Sequence, residues 1–335
     1  MQTANFVQKT LYLPPQLLSK PMDYAKLKGH AALWVANIIW GVNAPVCKGV
    51  LQSSANPEGI NPFALSACRM AGAALLFWTA SLVMPRERVS KRDLGLLLLA
   101  SVFGIQFNQL LYLWGLSLTS PIDASIISTL VPILTLVLAT LFLREPMSVL
   151  KVGGVALGCL GAVVLVVLSQ TTAGGQSSLL GNALCIISAI SFAFYLTAFR
   201  SVIVRYHPVT VMKWMFLFAA VVALVIYHKP LMATDFAALP SRVVTGALYV
   251  IVGSTFLSYL CVPIGQQHLR PTVVSMYNYV QPVVAVLVSV ALGMDRFTPL
   301  KAAAAVCVFV GVWMVTKSKS RARLEAEHDL KRNAS

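Results

Sequence analysis

Charge is scarce in this chain, and negative charge is scarcest. Asp, Glu, Lys and Arg make up 11% of the 335 residues, against about 25% in an ordinary soluble domain. Hydrophobic residues make up 58%, and mean hydropathy is +0.77. The eleven acids are Asp23, Glu58, Glu87, Asp93, Asp123, Glu145, Asp235, Asp295, Glu325, Glu327 and Asp329. Only Asp123 approaches an apolar run, at its outer start. A proton-coupled carrier that relays through a buried carboxylate keeps one at membrane depth, and none stands there. A membrane enzyme such as a lipid transferase needs clustered carboxylates or His ligands, which are also missing. The six cysteines (Cys47, Cys68, Cys159, Cys185, Cys261 and Cys307) lie inside apolar runs with no CxxC or Cys/His grouping. They read as small buried hydrophobes, not as a disulfide framework or metal site. Neither a metal nor a cofactor is expected.

Long apolar runs are what the chain has instead. A spanning helix needs about 20 mainly apolar residues, and ten such runs occur: roughly 30–50, 62–84, 94–115, 121–143, 149–168, 179–199, 209–228, 243–263, 272–292 and 299–316. They predict an all-α polytopic membrane protein with ten transmembrane helices. The net charge of +15 is not a nucleic-acid footprint, because the basic residues choose sides. With alternation through ten spans, all but Lys48, Arg69, Lys229, Arg242, Arg296 and Lys301 of the 26 lysines and arginines fall on one face. The positive-inside rule makes that face cytoplasmic and puts both termini there. Residues 1–28, with Pro14 and Pro15 in a short apolar patch, read as a cytoplasmic extension without a signal-peptide cleavage pattern. The basic tail, 317–335, reads as an anchor at the anionic leaflet.

The second half echoes the first at a spacing of 150 residues. Pro121 and Pro271, Pro132 and Pro282, Lys151 and Lys301, Gly161 and Gly311, and the acids Glu145 and Asp295 are all matched without a gap. The repeats are 29–168 and 179–316. Five spans each is an odd number, so the second repeat would enter the membrane from the opposite face. Inverted repeats of this kind put a binding site between two lobes that rock about it. One chain supplies both lobes, so a monomer is sufficient.

Polar side chains in hydrocarbon are costly and tend to face the bundle interior. They concentrate in the first, third, fourth, sixth, eighth and ninth runs. Asn37, Trp40, Asn43, Gln109, Tyr112, Tyr195, Ser258, Tyr259, Tyr277, Asn278 and Gln281 are the candidate substrate-binding residues. Together they predict a neutral cavity rich in amides, hydroxyls and aromatic rings, suited to a small amphipathic or zwitterionic solute. The competing reading is helix-to-helix hydrogen bonding, and for any Ser or Thr a bond to its own helix. Pro132 and Pro282 fall mid-span, where each removes a backbone hydrogen bond; they are candidate hinges or static kinks. The charged intramembrane candidates are Arg69, Lys48 and Asp123. Arg69 must find carbonyls, an acid or water: it locks helix packing or, alternatively, holds a substrate carboxylate. Lys48 is close enough to the end of its run to snorkel.

The string Trp40-Gly41-Val42-Asn43, the segment around Arg69, the run Ser120-Pro121 to Pro132, and Arg144-Glu145 before Lys151 resemble the EamA branch of the drug/metabolite transporter superfamily. Pro271 to Pro282, Asp295 and Gly311 resemble it again in the second copy. The resemblance covers about residues 30–316. It implies ten helices in two inverted five-helix repeats, a central cavity, and export or exchange of amino acids and related metabolites through the cell (inner) membrane. Small multidrug-resistance relatives carry a glutamate in the first helix that is absent here, and Asp295 stands where the family often has glutamate. The alternative within transport is a flippase or efflux carrier for lipid-linked or hydrophobic drug-like solutes.

Overall fold

The computed structural model describes residues 24–52, 56–84, 86–119, 124, 127–168, 178–291 and 298–318. Among them the one β pairing is an isolated parallel bridge between Leu51 and Ile60, and everything else regular is helical. The main helices are α1 (Tyr24–Val50), α2 (Pro62–Ala80), α3 (Lys91–Leu118), α4 (Leu130–Leu143), α5 (Val149–Leu168), α6 (Leu179–Ala198), α7 (Pro208–Ile226), α8 (Ser241–His268), α9 (Pro271–Met276, a tight turn Tyr277–Tyr279, then Val280–Ala291) and α10 (Pro299–Lys317).

Ten helices correspond to the ten apolar runs, but they differ in length and apolarity. Seven helices among the described residues are long and apolar enough to cross a membrane: α2, α3, α6, α7, α8, α9 and α10. Two apolar stretches, Leu130–Leu143 in α4 and Val149–Val164 in α5, are shorter. With 27 residues α1 has the length, but Asn37 and Asn43 interrupt its apolar run. Residues 1–23 of the N-terminal extension, most of the basic tail (319–335), Asp123 and Asp295 lie outside the described residues.

Local chemistry sets the helix starts. Asn61 accepts a hydrogen bond from the Phe63 amide and Pro62 follows at the first helical position; His207 and Pro208 repeat the device at α7. Proline loses nothing there, since the first amides of a helix have no intrahelical acceptor. Ser90 caps α3, and Ser178 caps α6. Ser148 Oγ accepts from the Lys151 amide at 3.2 Å, and 150 residues on Thr298 Oγ1 accepts from the Lys301 amide at 3.3 Å.

Packing pairs α5 with α10, α2 with α7, α1 with α8 and α9, and α6 with α3 and α4. Small residues let backbones approach in a membrane bundle, and α5 meets α10 in this way. A Cβ on Gly154 would lie 2.8 Å from the Gly311 carbonyl oxygen, and one on Gly311 would lie 2.6 Å from that of Gly154. Aromatic rings fill the α2–α7 contact, with Phe77 stacked on Phe216 at 5.4 Å and against Phe256 of α8 at 4.6 Å.

Two features break helical regularity. Both α3 and α8 contain a π-helical segment, Val102–Phe107 and Tyr249–Leu257. A discontinuity also precedes each mid-chain proline. Pro132 is the third residue of α4, after a turn at Thr129, and Pro282 is the third residue of Val280–Ala291, after Tyr277–Tyr279. The breaks stand 150 residues apart and lie just ahead of the prolines, where the missing N–H would have donated.

Candidate functional site

A cavity of about 110 Å³ opens between the two halves. At roughly 10–15 Å³ for each water-sized group, it holds on the order of seven to eleven non-hydrogen atoms. Helical spacing carries side chains to it: Trp40 and Asn43 from α1, Asn108, Gln109 and Tyr112 from α3, Ser188 and Phe192 from α6, and Asn278 and Gln281 from α9. In each set the residues three or four apart share a helix face. Ser128 comes from the turn leading into α4, and Ser254 and Tyr259 come from α8. A smaller annex of about 40 Å³ runs between α1 and α9, lined by Gly41, Ser128, Thr129 and Pro282.

The π segments make the wall possible. A π turn leaves carbonyls that need other donors, and non-helical backbone at membrane depth is tolerated only when they are found. In α8, Thr255 Oγ1 donates to the Val250 carbonyl at 2.7 Å and Ser258 Oγ to that of Gly253 at 3.2 Å. In α3, Ser191 of α6 donates to the Phe103 carbonyl at 2.7 Å, and Tyr259 of α8 to that of Gly104 at 3.2 Å. The hydroxyls serving one half therefore come partly from the other.

Of the predicted residues, Trp40, Asn43, Gln109, Tyr112, Tyr259, Asn278 and Gln281 reach the cavity. Trp40 donates its indole N–H to the Ser254 carbonyl at 2.9 Å and meets Phe192 and Tyr259 edge-on, at 6.0 and 5.7 Å. Gln281 donates to Asn37 Oδ1 at 2.9 Å and to Asn278 Oδ1 at 3.3 Å. Four predicted residues stand behind the wall. Asn37 donates to the Leu33 carbonyl at 2.8 Å and so braces Gln281. Tyr195 donates to Gln266 Oε1 at 3.3 Å and stacks on Phe192. Ser258 is used up on backbone carbonyls, and the Tyr277 hydroxyl pairs with His30 Nδ1 at 2.6 Å. The Lys48 ammonium donates to the carbonyls of Leu116 and Thr119, at 2.9 and 3.3 Å, and caps α3. Asp123 lies outside the described residues.

The expectation of a neutral wall from six helices is corrected by α2, which brings Arg69 into it. Arg69 is 3% exposed, and its Nε–H donates to Thr255 Oγ1 at 2.9 Å. Sequence reasoning had the residue but not its neighbours, because α2 shows no polar stripe. Asn108 and Ser188, polar residues of the third and sixth apolar runs, also line the cavity. They bond each other, Ser188 Oγ to the Asn108 carbonyl at 2.7 Å and Asn108 Nδ2 to Ser188 Oγ at 3.1 Å. Both amide atoms of Gln109 and the Ser254 hydroxyl are buried without a hydrogen-bond partner among the described residues. Buried polar groups are nearly always satisfied, so these are positioned to take a bond from whatever fills the cavity. Among the described residues no three His, Cys, Asp or Glu side chains gather as metal ligands.

Comparison with known proteins agrees with this architecture. The profile of the EamA-like transporter family matches twice, at residues 27–167 and 179–317. An uncharacterized transporter of Archaeoglobus fulgidus is 25% identical over 262 residues, 78% of this chain and 90% of its own. A probable terminal-alkyne amino-acid exporter of Streptantibioticus cattleyicolor is 26% identical over 301 residues, 88% of this chain and 95% of its own. A solved crystal structure, 19% identical, superimposes with a TM-score of 0.68 over 88% of this chain and 97% of that one, a likeness of fold alone.

Proposed function

We propose, from the premise that the chain belongs to the EamA-like transporter family, that it exports or exchanges small metabolites, amino acids and related solutes foremost, across the cell membrane. The mechanism is alternating access of the cavity between two inverted five-helix repeats, ten transmembrane helices in all, with both termini cytoplasmic. The observation that carries the reading is the cavity itself: it has the volume of an amino acid, and its wall of amides, hydroxyls and aromatic rings comes from both family-matched halves. Such a wall suits a polar, aromatic-tolerant cargo released unchanged. The helix pairing supports the repeat symmetry. Exchanging α1–α5 with α6–α10 turns the α1–α8 and α1–α9 contacts into α6–α3 and α6–α4, and returns α2–α7 and α5–α10 to themselves. The Streptantibioticus relative named as an amino-acid exporter points the same way. One chain encloses the cavity, so a monomer suffices.

Counterflow in proteoliposomes tests it. Vesicles preloaded with unlabelled amino acids should accumulate the labelled solute equally with and without a pH gradient. Accumulation that needs the gradient would reveal a proton path, with Asp123 the first residue to replace. An absence of counterflow with every amino acid would move the cargo to hydrophobic or lipid-linked solutes.

A further inference from the structure

We infer that Arg69 is the receptor for a carboxylate on the transported solute, so that the cavity selects monocarboxylates of amino-acid size over their uncharged counterparts. The inference rests on the transport reading and narrows it to a chemical class. The guanidinium is 3% exposed and lines the cavity. Its Nε–H is spent on Thr255 Oγ1 at 2.9 Å, and Thr255 is itself tied to the Val250 carbonyl at 2.7 Å. The π segment of α8 therefore fixes the orientation of the fork. A guanidinium has five N–H donors, and no hydrogen bond occupies the remaining four among the described residues.

No carboxylate among the described residues reaches it. Glu145 pairs with Lys151, Asp93 with Arg205 and Glu58 with Arg242. Glu87 accepts from the His207 amide and Asp235 from the amides of its own loop. A buried charge without a counter-ion is expensive. With Nε–H spent, the edge formed by the two Nη nitrogens remains, and such an edge is the geometry that carboxylates bind bidentately. The unsatisfied amide of Gln109 and hydroxyl of Ser254 line the same cavity and supply further donors. Trp40, Phe192 and Tyr259 offer apolar surface for the rest of the solute.

The experiment is leucine counterflow in proteoliposomes, with leucinamide and isopentylamine as competitors. Unlabelled leucine should compete, and the other two should be at least tenfold weaker. Arg69→Gln should lose leucine counterflow by tenfold or more, Arg69→Lys should keep part of it, and Asp123→Asn should leave the preference unchanged. Equal competition by leucine and leucinamide, or normal leucine counterflow by Arg69→Gln, overturns the inference. So does loss of the preference in Asp123→Asn, which would give Arg69 an internal partner.

Thermal melting of the purified protein reads the subsite without transport. 4-Methylpentanoate should raise the melting temperature of the wild type more than 4-methylpentanamide does, with the difference gone in Arg69→Gln and reduced in Thr255→Val. Equal shifts from acid and amide overturn the inference. Failed leucine counterflow with an intact acid preference in melting would overturn the amino-acid reading and leave the carboxylate subsite standing.

Discussion

Lys151 is fully buried, and its ammonium lies 2.8 Å from Glu145 Oε2, which also accepts from Thr272 Oγ1 at 3.0 Å. The acid ends one half's fourth helix, and the threonine begins the other half's ninth. The field of Glu145 also reaches Arg200 and Arg270, opposing the burial that lowers both arginines from their usual value. Removing one member of a buried pair leaves an uncompensated charge, at about 3–5 kcal/mol. Lys151→Met should therefore lower unfolding stability in mixed detergent by about that much, and adding Glu145→Leu should recover most of the loss. Equal stability of the single variant and wild type would mean that Glu145 finds another cation. In the cavity wall, Asn43→Ala and Asn278→Ala should each reduce transport several-fold while membrane insertion, read by reporter fusions, stays normal. Normal transport by both would detach these amides from the solute.

The sequence declared the partners in this pair but not the pairing. Glu145 and Lys151 recur as Asp295 and Lys301, yet six residues is not a helical neighbour distance, and Lys151 counts as a topological charge in the linear reading. What joins them is the left-handed turn at Arg144, φ 48° and ψ 38°, the one positive φ outside glycine among the described residues. No composition rule puts an arginine there. Arg69 is a similar case: its identity was plain, but its place in the wall depends on Thr255, 186 residues away.

At the scale of elements, the prolines were legible and the π segments were not. Proline has one backbone consequence, so Pro132 and Pro282 located the breaks at Thr129 and Tyr277–Tyr279 to within a turn. A π turn has no sequence period of its own. It depends on Ser191, Thr255, Ser258 and Tyr259 finding the right carbonyls, and in the linear sequence these looked like a polar stripe. Pro132→Ala restores the donor and should stiffen the break, lowering the turnover number several-fold with little change in half-saturation; an unchanged turnover number would leave the break purely structural. Gly311→Ala forces a Cβ to 2.6 Å from a backbone oxygen, and overpacking of this kind lowers stability by about 1–3 kcal/mol. A thermal shift within error of wild type would mean that the seam can spread.

For the whole molecule, the apolar runs gave the helix order and the 150-residue echo gave the two halves. Neither could say which helix packs on which, because pairing in lipid follows small-residue fit and polar matching, not burial from water. The split of basic residues between faces still makes a whole-molecule prediction. Reporter enzymes fused at either terminus should be active only in forms that work in the cytoplasm; a periplasmic signal at one end would mean an odd number of crossings.

The α5–α10 seam limits what the molecule can do. Side chains can repack when helices slide, but Gly154 and Gly311 bring bare backbone against bare backbone, with no rotamer to give. If the halves rock about the cavity as proposed, that edge would be their pivot. Such a motion would grow with distance from the seam, with its greatest travel across the bundle, where bonds between side chains and carbonyls can break and re-form one at a time. Under that reading a fixed pivot would let the cavity widen toward one face only as it narrows toward the other.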